Sequence, residues 1–315
     1  MKKKIRILIV GFLIVFLLGE LIGRYFGLHD YPTHVSSSKF EYIYAPNQER
    51  LIYRNKFSTN EFSMRSKPFT NKDTSVVLLI GDSVINGGNL TDQDCLGSTI
   101  LENSLTKTFE KPVRVLNISG GSWGPDNAAE YVKQYGLFDA DIVVLVVSSH
   151  DAYDNMTNAK IVDNHPQFFS RNYYLAWGKL IERGWQQIER RVLKRNNQQK
   201  VKNSDLGISQ SSNFNSGFDY FRKISSQYNI PFVIYLHPSF KEFKDQSMSD
   251  LGREIIEYSE INQIDIIQEI KTPLEGKHYR DGIHYSEIGQ KHLAKTLFPK
   301  ITNLIEEYGT QQSIY

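Results

Sequence analysis

Short runs of β-branched and other apolar residues alternate with amphipathic stretches along most of this 315-residue chain. The apolar runs are 75–80, Val113–Ile118, Asp141–Val147, Pro231–His237 and Ile264–Ile267. The amphipathic stretches are Asp92–Lys107, Asn127–Tyr135, Phe214–Gln227, Met248–Ile261 and Glu287–Glu307. Continuous apolar runs predict strands buried on both faces, and amphipathic helices between them predict a parallel sheet covered on both sides. The pattern therefore predicts an α/β fold, a three-layer α/β/α sandwich.

The chain begins with a basic segment followed by an apolar one, which is typical of membrane insertion. Four of the first six residues are Lys or Arg, and an uncharged apolar run extends from Ile7 to Gly19. If Glu20 and Arg24 reach the outer interface, the span continues to Phe26 and covers about 30 Å. The basic residues would then stay in the cytoplasm.

We therefore expect residues 1–28 to form one uncleaved transmembrane helix. The protein would be a single-pass protein of the cell inner membrane, with its C-terminal domain periplasmic or extracellular. A cleaved signal peptide is the alternative.

Composition restricts the class of protein further. Apolar residues make up 40% of the chain, which indicates a globular core and not a disordered chain. The net charge of +2 gives no electrostatic case for a nucleic-acid partner. Cys95 is the only cysteine, which excludes an intrachain disulfide and a multi-cysteine metal cluster.

Residues 29–73 separate the anchor from the alternating pattern. They are polar, aromatic and irregular, and they contain three prolines. We interpret this segment as a stalk with short extended segments that leads into a catalytic domain at residues 74–308.

An insertion at residues 165–213 interrupts the alternating pattern. Tyr173–Arg195 predicts an amphipathic helix that carries Trp177 and Trp185. The Asn-, Gln-, Lys- and Ser-rich stretch from 196 to 213 predicts a flexible loop. This loop either lies over the site or is an inert surface excursion.

Ser83 directly follows the first predicted strand, in the sequence Gly81-Asp82-Ser83. Ligands of doubly wound sheets bind at the carboxyl ends of the strands, so this is the expected position of a nucleophile. Asp281 and His284 are spaced so that both could face the same pocket from one loop. His284 would take the proton of Ser83, and Asp281 would hold the imidazole. A turn with a helix cap at Ser83 and an exposed Asp-Gly turn downstream are the alternatives.

Two further loops follow the second and third predicted strands and could supply an oxyanion hole. The small residues of Asn117–Pro125 let backbone amides approach a ligand closely, although a plain loop is the alternative. Their glycine spacing fits neither nucleotide-binding fingerprint. His150, in the sequence Ser148-Ser149-His150-Asp151, could donate a hydrogen bond from its ring. A surface histidine is the alternative there.

In this order, the four blocks resemble the SGNH (GDSL) hydrolase superfamily over about residues 74 to 306. The resemblance implies a serine esterase or acyltransferase with a flavodoxin-like α/β/α fold, no cofactor and no metal. Ser83 matches the nucleophile, and Asp281 and His284 match the Asp-x-x-His block. The implied oxyanion donors are the amides of Ser83 and of Gly121 or Ser122, with the side chain of the third block.

The third block departs from the family pattern, which is usually Gly-x-Asn-Asp. His150 stands where the asparagine is usual, and Ser148 stands where the glycine is usual. Histidine can donate a hydrogen bond, so activity is still expected, but its charge state would now matter.

The anchor and the segments Tyr44–Asn47 and Asn60–Ser66 resemble membrane-tethered bacterial members of the superfamily. Such members are often associated with modification of exopolysaccharide or envelope glycans. We therefore expect an esterase for acyl groups, O-acetyl groups in particular, on an acylated glycan. Acyl transfer to the same glycans is the alternative. An envelope lipase and a non-catalytic scaffold that binds glycans through exposed Trp123, Trp177 and Trp185 are competing hypotheses.

Overall fold

A five-stranded sheet, parallel throughout, lies at the centre of the fold. The computed structural model describes residues 2–69, 75–165, 167–178, 181, 184, 185, 188, 209, 210 and 213–312. In chain order the strands are β1 (His34–Ser37), β2 (Glu41–Tyr44), β3 (Glu49–Ile52), β4 (Asn55–Ser58), β5 (Ser75–Gly81), β6 (Val113–Ser119), β7 (Ile142–Ser148), β8 (Asp154–Asn155), β9 (Ser209–Gln210), β10 (Phe232–His237) and β11 (Asp265–Gln268). The central sheet has the order β11-β10-β7-β5-β6, and the other strands form three antiparallel pairs.

Helices cover both faces of the central sheet. The described α-helices are Lys2–Tyr25, Ser83–Asn86, Gly97–Phe109, Pro125–Tyr135, Ser216–Tyr228, Phe240–Asp245, Asp250–Ile261 and Glu287–Gln312. Gly97–Phe109 and Glu287–Gln312 pack on one face of the sheet. Pro125–Tyr135, Ser216–Tyr228 and Asp250–Ile261 pack on the other face.

Alternate residues of β5 enter opposite layers of this sandwich. Val77 and Leu79 belong to one buried cluster, and Val76, Leu78 and Ile80 belong to the other. Side chains of a strand point alternately to the two faces of a sheet, so a strand covered on both sides is apolar at every position. The predicted three-layer α/β/α sandwich with a parallel sheet is confirmed.

The predicted helix Asp92–Lys107 begins later than expected. The carboxylate of Asp92 accepts the amide of Asp94 at 2.9 Å and caps a short 3-10 turn at Gln93–Cys95. Leu96 is then extended, and the α-helix starts at Gly97. The side-chain cap of Asp92 thus starts a different turn from the one that periodicity alone suggests.

The N-terminal helix Lys2–Tyr25 is long and apolar enough to cross a membrane or to serve as a signal sequence. Its 24 residues span about 36 Å at ~1.5 Å per residue. Glu20 does not reach outward as expected, because its carboxylate is buried and accepts the amide of Ala176 at 2.8 Å. The side of the membrane on which the remaining chain lies stays a prediction.

The segment interpreted as a stalk packs against the central domain. Its short extended segments are present as the hairpins β1–β2 and β3–β4. However, Phe40, Tyr42 and Met64 are buried in the same cluster as Leu78 and Ile80 of the central sheet. The idea of a segment that merely leads into the domain is therefore corrected, because its aromatic residues complete one of the two cores. The exact domain limits stay a prediction.

The insertion at 165–213 is described in part. Positions 176–178, 181, 184, 185 and 188 are helical, but Tyr173, Tyr174 and Leu175 are not, so the predicted helix Tyr173–Arg195 begins only at Ala176. The carboxylate of Glu20 accepts the amide of Ala176 at this end. The rest of that helix and most of the predicted loop at 196–213 lie outside the described residues. Ser209 and Gln210 pair with β8.

Candidate active site

The strands β5 and β6 end at the same edge of the sheet. Gly81 pairs with Ser119. Ser83 and Gly121, each two residues further on, therefore leave the sheet side by side. A side chain at Gly81 is not accommodated, because its Cβ would lie 2.7 Å from the carbonyl oxygen of Val146. The sequence before Ser83 thus lets two parallel strands approach closely at the point where ligands of such sheets bind.

Ser83 begins a short helix that a neighbouring carboxylate caps. The carboxylate of Asp82 accepts the amide of Val84 at 2.9 Å. Asn86 ends the helix and is held on two sides, since its side chain accepts from Tyr44 Oη at 3.0 Å and donates to Ser119 Oγ at 3.0 Å. These contacts fix the backbone that carries the hydroxyl of Ser83.

The predicted Ser83, His284 and Asp281 side chains form one continuous chain of contacts. His284 Nε2 lies 2.9 Å from Ser83 Oγ. His284 Nδ1 lies 3.0 and 2.9 Å from the two carboxylate oxygens of Asp281. This is the arrangement in which an imidazole can take a hydroxyl proton while a carboxylate holds its other nitrogen. The catalytic roles themselves stay a prediction.

Asp281 is held as a carboxylate. Burial would raise its pKa, but the amides of His284 and Ile283 and the ring of His284 donate hydrogen bonds that lower it to about 2. The two amide hydrogen bonds measure 2.9 and 3.0 Å. Asp281 is therefore a carboxylate at neutral pH.

A buried ion pair beneath the His284 loop was not predicted from the sequence. His237 Nδ1 lies 2.5 Å from a carboxylate oxygen of Glu269, and its Nε2 lies 2.7 Å from the carbonyl oxygen of Ile283. A carbonyl and a carboxylate both accept, so the ring donates from both nitrogens as an imidazolium. Tyr285 Oη also donates to Glu269, at 2.7 Å. The residues on either side of His284 are thus anchored to one buried carboxylate.

The pKa of His237 is raised and the pKa of Glu269 is lowered, as expected when both members of a pair are charged. Burial would lower the pKa of His237, but the charge of Glu269 and the hydrogen bonds to the ring raise it. Burial would raise the pKa of Glu269, but the charge and hydrogen bond of His237 lower it. A buried charge is stable only when it is paired in this way.

The loop after β6 is held by a tyrosine from the N-terminal hairpin. Tyr42 Oη accepts the amide of Ser122 at 2.9 Å and lies 2.8 Å from Ser122 Oγ. The indole of Trp123 donates to the carbonyl oxygen of Tyr42 at 2.8 Å. Ser122 is thus engaged, whereas the amide of Gly121 has no acceptor within the described part of the chain. Of the two predicted amide donors, Gly121 is the one available to a ligand.

Trp123 is not an exposed stacking platform for sugars. Its side chain is 2% exposed and packs against Phe40 and Tyr131. The glycan-stacking role considered for it is therefore wrong, and its function is to attach the loop after β6 to the aromatic core.

His150 lies beside buried carboxyl groups. Its Nε2 is 3.9 Å from Asp82 Oδ2 and 3.6 Å from Asp151 Oδ1. Burial and the charge of Asp82 raise the pKa of Asp151 well above its usual range. Burial and the charge of Asp151 raise the pKa of Asp154 to about 8. The environment of His150 is thus acidic, and burial disfavours the charged form of two of its carboxyl groups.

The same three side chains contain the atoms that could ligate a metal. One ligand atom each of Asp82, His150 and Asp151 lie within 4.8 Å of one another. Asp151 Oδ1 is buried without a hydrogen-bond donor. Asp82 already accepts the amide of Val84, and Asp151 accepts the amide of Ser148, so the donor set does not by itself require a metal.

Arg65 is a further support that the sequence does not reveal. Its guanidinium is buried, and burial lowers its pKa to about 10. It donates to the carbonyl oxygens of Asn86, Gly88 and Thr91, the last two at 2.8 and 2.7 Å. The loop that follows the Ser83 helix is therefore fastened to the N-terminal segment.

Comparison with known proteins finds similar folds. A member of the lipolytic protein G-D-S-L family from Veillonella parvula DSM 2008 is 9% identical, with 72% of this chain and 97% of that chain covered and a TM-score of 0.39. A lipase/acylhydrolase from Enterococcus faecalis is 12% identical, with coverages of 73% and 96% and a TM-score of 0.43. An acetyl xylan esterase from Geobacillus stearothermophilus is 12% identical, with coverages of 74% and 96% and a TM-score of 0.42. The G-D-S-L family is the one that the sequence motifs resemble.

Two other comparisons give no match. No protein-family model matches the chain, and no curated protein matches it.

Replacing Tyr42 by Phe should slow ester hydrolysis. The variant keeps the ring but frees the amide of Ser122, so the loop loses a hydrogen bond worth about 1 kcal/mol, which corresponds to roughly fivefold in kcat. Steady-state kinetics should show the loss in kcat with KM little changed. Tyr131→Phe is the matched control, since it removes a hydroxyl that bonds the carbonyl oxygen of Phe62 in the same core. Equal kcat values for the two variants would contradict a positioning role for Tyr42.

Replacing Glu269 by Gln should change how stability depends on pH. His237 has a raised pKa, so its contribution is complete below its ordinary value of 6.5 and is lost as pH rises through the raised value. Glu269 has a lowered pKa, so its contribution is complete above its ordinary value of 4.5 and is lost as pH falls through the lowered value. Breaking a buried pair costs about 3–5 kcal/mol.

The measurement is the melting temperature of the detergent-solubilised chain at several pH values. The wild type should lose stability above pH 6.5, whereas Glu269→Gln should be less stable at pH 6 and should lack that fall. Glu275→Gln, at an exposed carboxylate nearby, is the control. A Glu269→Gln curve parallel to that of the wild type would exclude the ion pair.

Proposed function

We propose that this chain is a serine esterase that removes acyl groups, O-acetyl groups in particular, from envelope or extracellular polysaccharide. The observation that carries the proposal is the contact chain from Ser83 Oγ through His284 to Asp281, with distances of 2.9 to 3.0 Å. Its place at the carboxyl edge of a parallel sheet supports the same conclusion.

In the proposed reaction, Ser83 Oγ attacks the acyl carbon and its proton passes to His284 Nε2. Asp281 stays a carboxylate and stabilises the imidazolium through Nδ1. The tetrahedral intermediate then expels the sugar hydroxyl, which takes the proton from His284. Water attacks the acyl-serine with His284 again as the base, and the carboxylic acid leaves.

The developing oxyanion would be bound by the amides of Ser83 and Gly121 and by the ring of His150. His150 Nε2 lies 3.9 Å from Asp82 Oδ2 and 3.6 Å from Asp151 Oδ1, so we assign the contact with the oxyanion to the other ring nitrogen, Nδ1. An N–H donor there would stabilise negative charge on the substrate oxygen. Histidine in place of the usual asparagine is compatible with activity on these grounds.

The open position of the catalytic side chains supports hydrolysis over acyl transfer. The side chains of His284 and Asp281 are 30% and 48% exposed. Water therefore reaches the base that would activate it, whereas a transferase must exclude water from its acyl-enzyme. An acceptor glycan that covers the site would change this balance, so transfer is the alternative outcome.

A cleft next to the triad supports a carbohydrate as the alcohol part of the substrate. It has a volume of about 370 Å³ and begins at His150 and Ile283. Hydroxyl groups of Ser239 and Ser247 line it together with the apolar side chain of Leu251. A sugar ring offers both hydroxyl groups and apolar faces, so this mixed lining suits it better than an alkyl chain.

Replacing Ser83 by Ala should abolish hydrolysis of acetylated polysaccharide. Loss of a serine nucleophile typically lowers kcat by roughly 10⁴-fold or more. Acetate release should be measured with the full chain in detergent, together with labelling by a serine-directed phosphonate. Ser36→Ala, at an exposed strand position, is the control and should keep both activity and labelling. Full hydrolytic activity of Ser83→Ala would contradict Ser83 as the nucleophile, whereas full biological function without hydrolysis would favour a binding scaffold.

Acetyl esters should be hydrolysed faster than long-chain esters. The cleft beside His150 and Ile283 is assigned to the sugar, so a long acyl chain would not gain from burial in it. The measurement compares kcat/KM for p-nitrophenyl acetate and p-nitrophenyl octanoate. A preference for octanoate would favour the envelope lipase over the glycan esterase.

A further inference from the structure

One stripe of the N-terminal helix is covered although the rest of the helix is exposed. Phe16, Gly19, Glu20 and Gly23 are buried or half-buried, while the large apolar residues around them are mostly exposed. The spacing of 3, 4 and 7 residues places them on one face of the helix. Residues of the insertion at 165–213 cover this face.

The two glycines of the stripe allow the insertion to approach the helix backbone. A Cβ at Gly23 would lie 2.5 Å from Ala176 Cβ, and one at Gly19 would lie 2.1 Å from the ring of Trp177. The indole of Trp177 donates to the carbonyl oxygen of Phe16 at 2.9 Å and stacks on its ring. Glycines four residues apart are the pattern by which helices in membranes pack closely.

The carboxylate of Glu20 caps the start of the second helix. It accepts the amides of Ala176 and Trp177 at 2.8 and 3.4 Å, where the helical residues of the insertion begin. Arg24 donates to the same carboxylate at 2.8 Å. An acidic group in an apolar segment therefore has charged and hydrogen-bonded partners supplied by the chain itself. Removal of the helix as a signal peptide would leave these amides without an acceptor.

The helix that Glu20 caps presents large apolar side chains to the outside. Ile181, Trp185 and Ile188 are 67%, 67% and 55% exposed, and Leu175 before the helix is 45% exposed. Positions 177, 181, 185 and 188 follow the spacing of one helix face. Exposed tryptophan and isoleucine on one face, beside an apolar helix of membrane length, indicate that a bilayer covers them.

We propose that the helical residues between Ala176 and Ile188 form an interfacial membrane helix, docked on the anchor through Gly19 and Gly23. We take Tyr25, the aromatic residue at the end of the anchor helix, as the level of the membrane interface. Gly19 then lies about 9 Å below that level at ~1.5 Å per residue, which matches the ~5–10 Å depth of interfacial helices. The partner is the lipid of the outer leaflet next to the anchor. This inference rests on the proposed membrane anchor and does not depend on the esterase chemistry.

Such a helix gives the catalytic domain a second attachment to the membrane. A single transmembrane helix fixes the distance of a domain from the bilayer but leaves the domain free to tilt relative to the membrane plane. A second contact at the interface removes that freedom, because the insertion joins β7 and its following loop to the membrane surface. The mouth of the site would then keep one orientation to the bilayer.

The three tryptophans allow a direct test in the full chain. Trp123 is buried in the domain and gives a constant background, Trp177 reports the anchor contact, and Trp185 reports the exposed face. Emission is compared in phosphatidylcholine vesicles with ordinary and with acyl-brominated lipid, for the wild type, Trp177→Phe and Trp185→Phe. We expect brominated lipid to quench both Trp177 and Trp185.

The outcomes separate the parts of the proposal. If Trp177 is quenched and Trp185 is not, the anchor spans the membrane and the interfacial helix is wrong. If neither is quenched, the anchor itself is wrong and the inference fails with it. Hydrolysis of p-nitrophenyl acetate, measured on the same samples, reports separately on the esterase and should be unchanged in Trp185→Phe.

A pair of glycine variants tests the docking contact. Gly23→Leu should reduce quenching of Trp185, since its Cβ meets Ala176. Gly11→Leu is the control, because a Cβ there has no neighbouring atom within 4 Å in the described part of the chain. Equal quenching in the two variants would overturn docking through the glycine face.

Discussion

The hydrogen bond between Ser83 Oγ and His284 Nε2 joins two loops that are 201 residues apart in the chain. Neither loop is held by its own sequence neighbours alone. The parallel sheet fixes where β5 ends, and the imidazolium of His237 fixes the carbonyl oxygen of Ile283 beside the histidine. The geometry of the site therefore depends on a buried ion pair as much as on the Ser83, His284 and Asp281 side chains themselves, and the proposed catalysis would require these groups to be held to within a fraction of an ångström.

The N-terminal segment supplies the remaining supports and thereby connects the anchor to the site. Tyr42 holds the loop after β6, and Arg65 holds the loop after the Ser83 helix. Both side chains are buried, so each contact exchanges hydration for fixed hydrogen bonds in a low-dielectric interior. A change in the segment between the N-terminal helix and the central sheet would thus alter the loop after β6 and the loop after the Ser83 helix together.

The sequence predicted the central sheet and the Ser83, Asp281 and His284 contacts because both leave local signals. Strands buried on both faces are continuously apolar, and a nucleophile after such a strand has a chemically recognisable partner set. Tyr42 left no such signal, because four-residue hairpin strands show too few alternations to establish a period. Arg65 lies outside these strands, and its carbonyl partners are 21 to 26 residues away. His237 reads as the last residue of a strand, and its role depends on Glu269, 32 residues away. The partners of Glu20 lie 156 residues away and are equally invisible to local patterns.

His150 stands where the resembled sequence pattern usually has asparagine, and the charged groups around it are relevant to that difference. Asp82 and Asp151 are buried beside this ring, and Asp154 is buried within reach of the charge of Asp151. Burial and neighbouring negative charge raise the pKa values of Asp151 and Asp154, so both groups ionise less readily than ordinary carboxyl groups. An imidazole offers a ring N–H to such neighbours, and an asparagine amide offers an NH₂ group. The histidine and the cluster of carboxyl groups are therefore best understood together, as neighbouring polar groups whose charges influence one another beside the Ser83 helix.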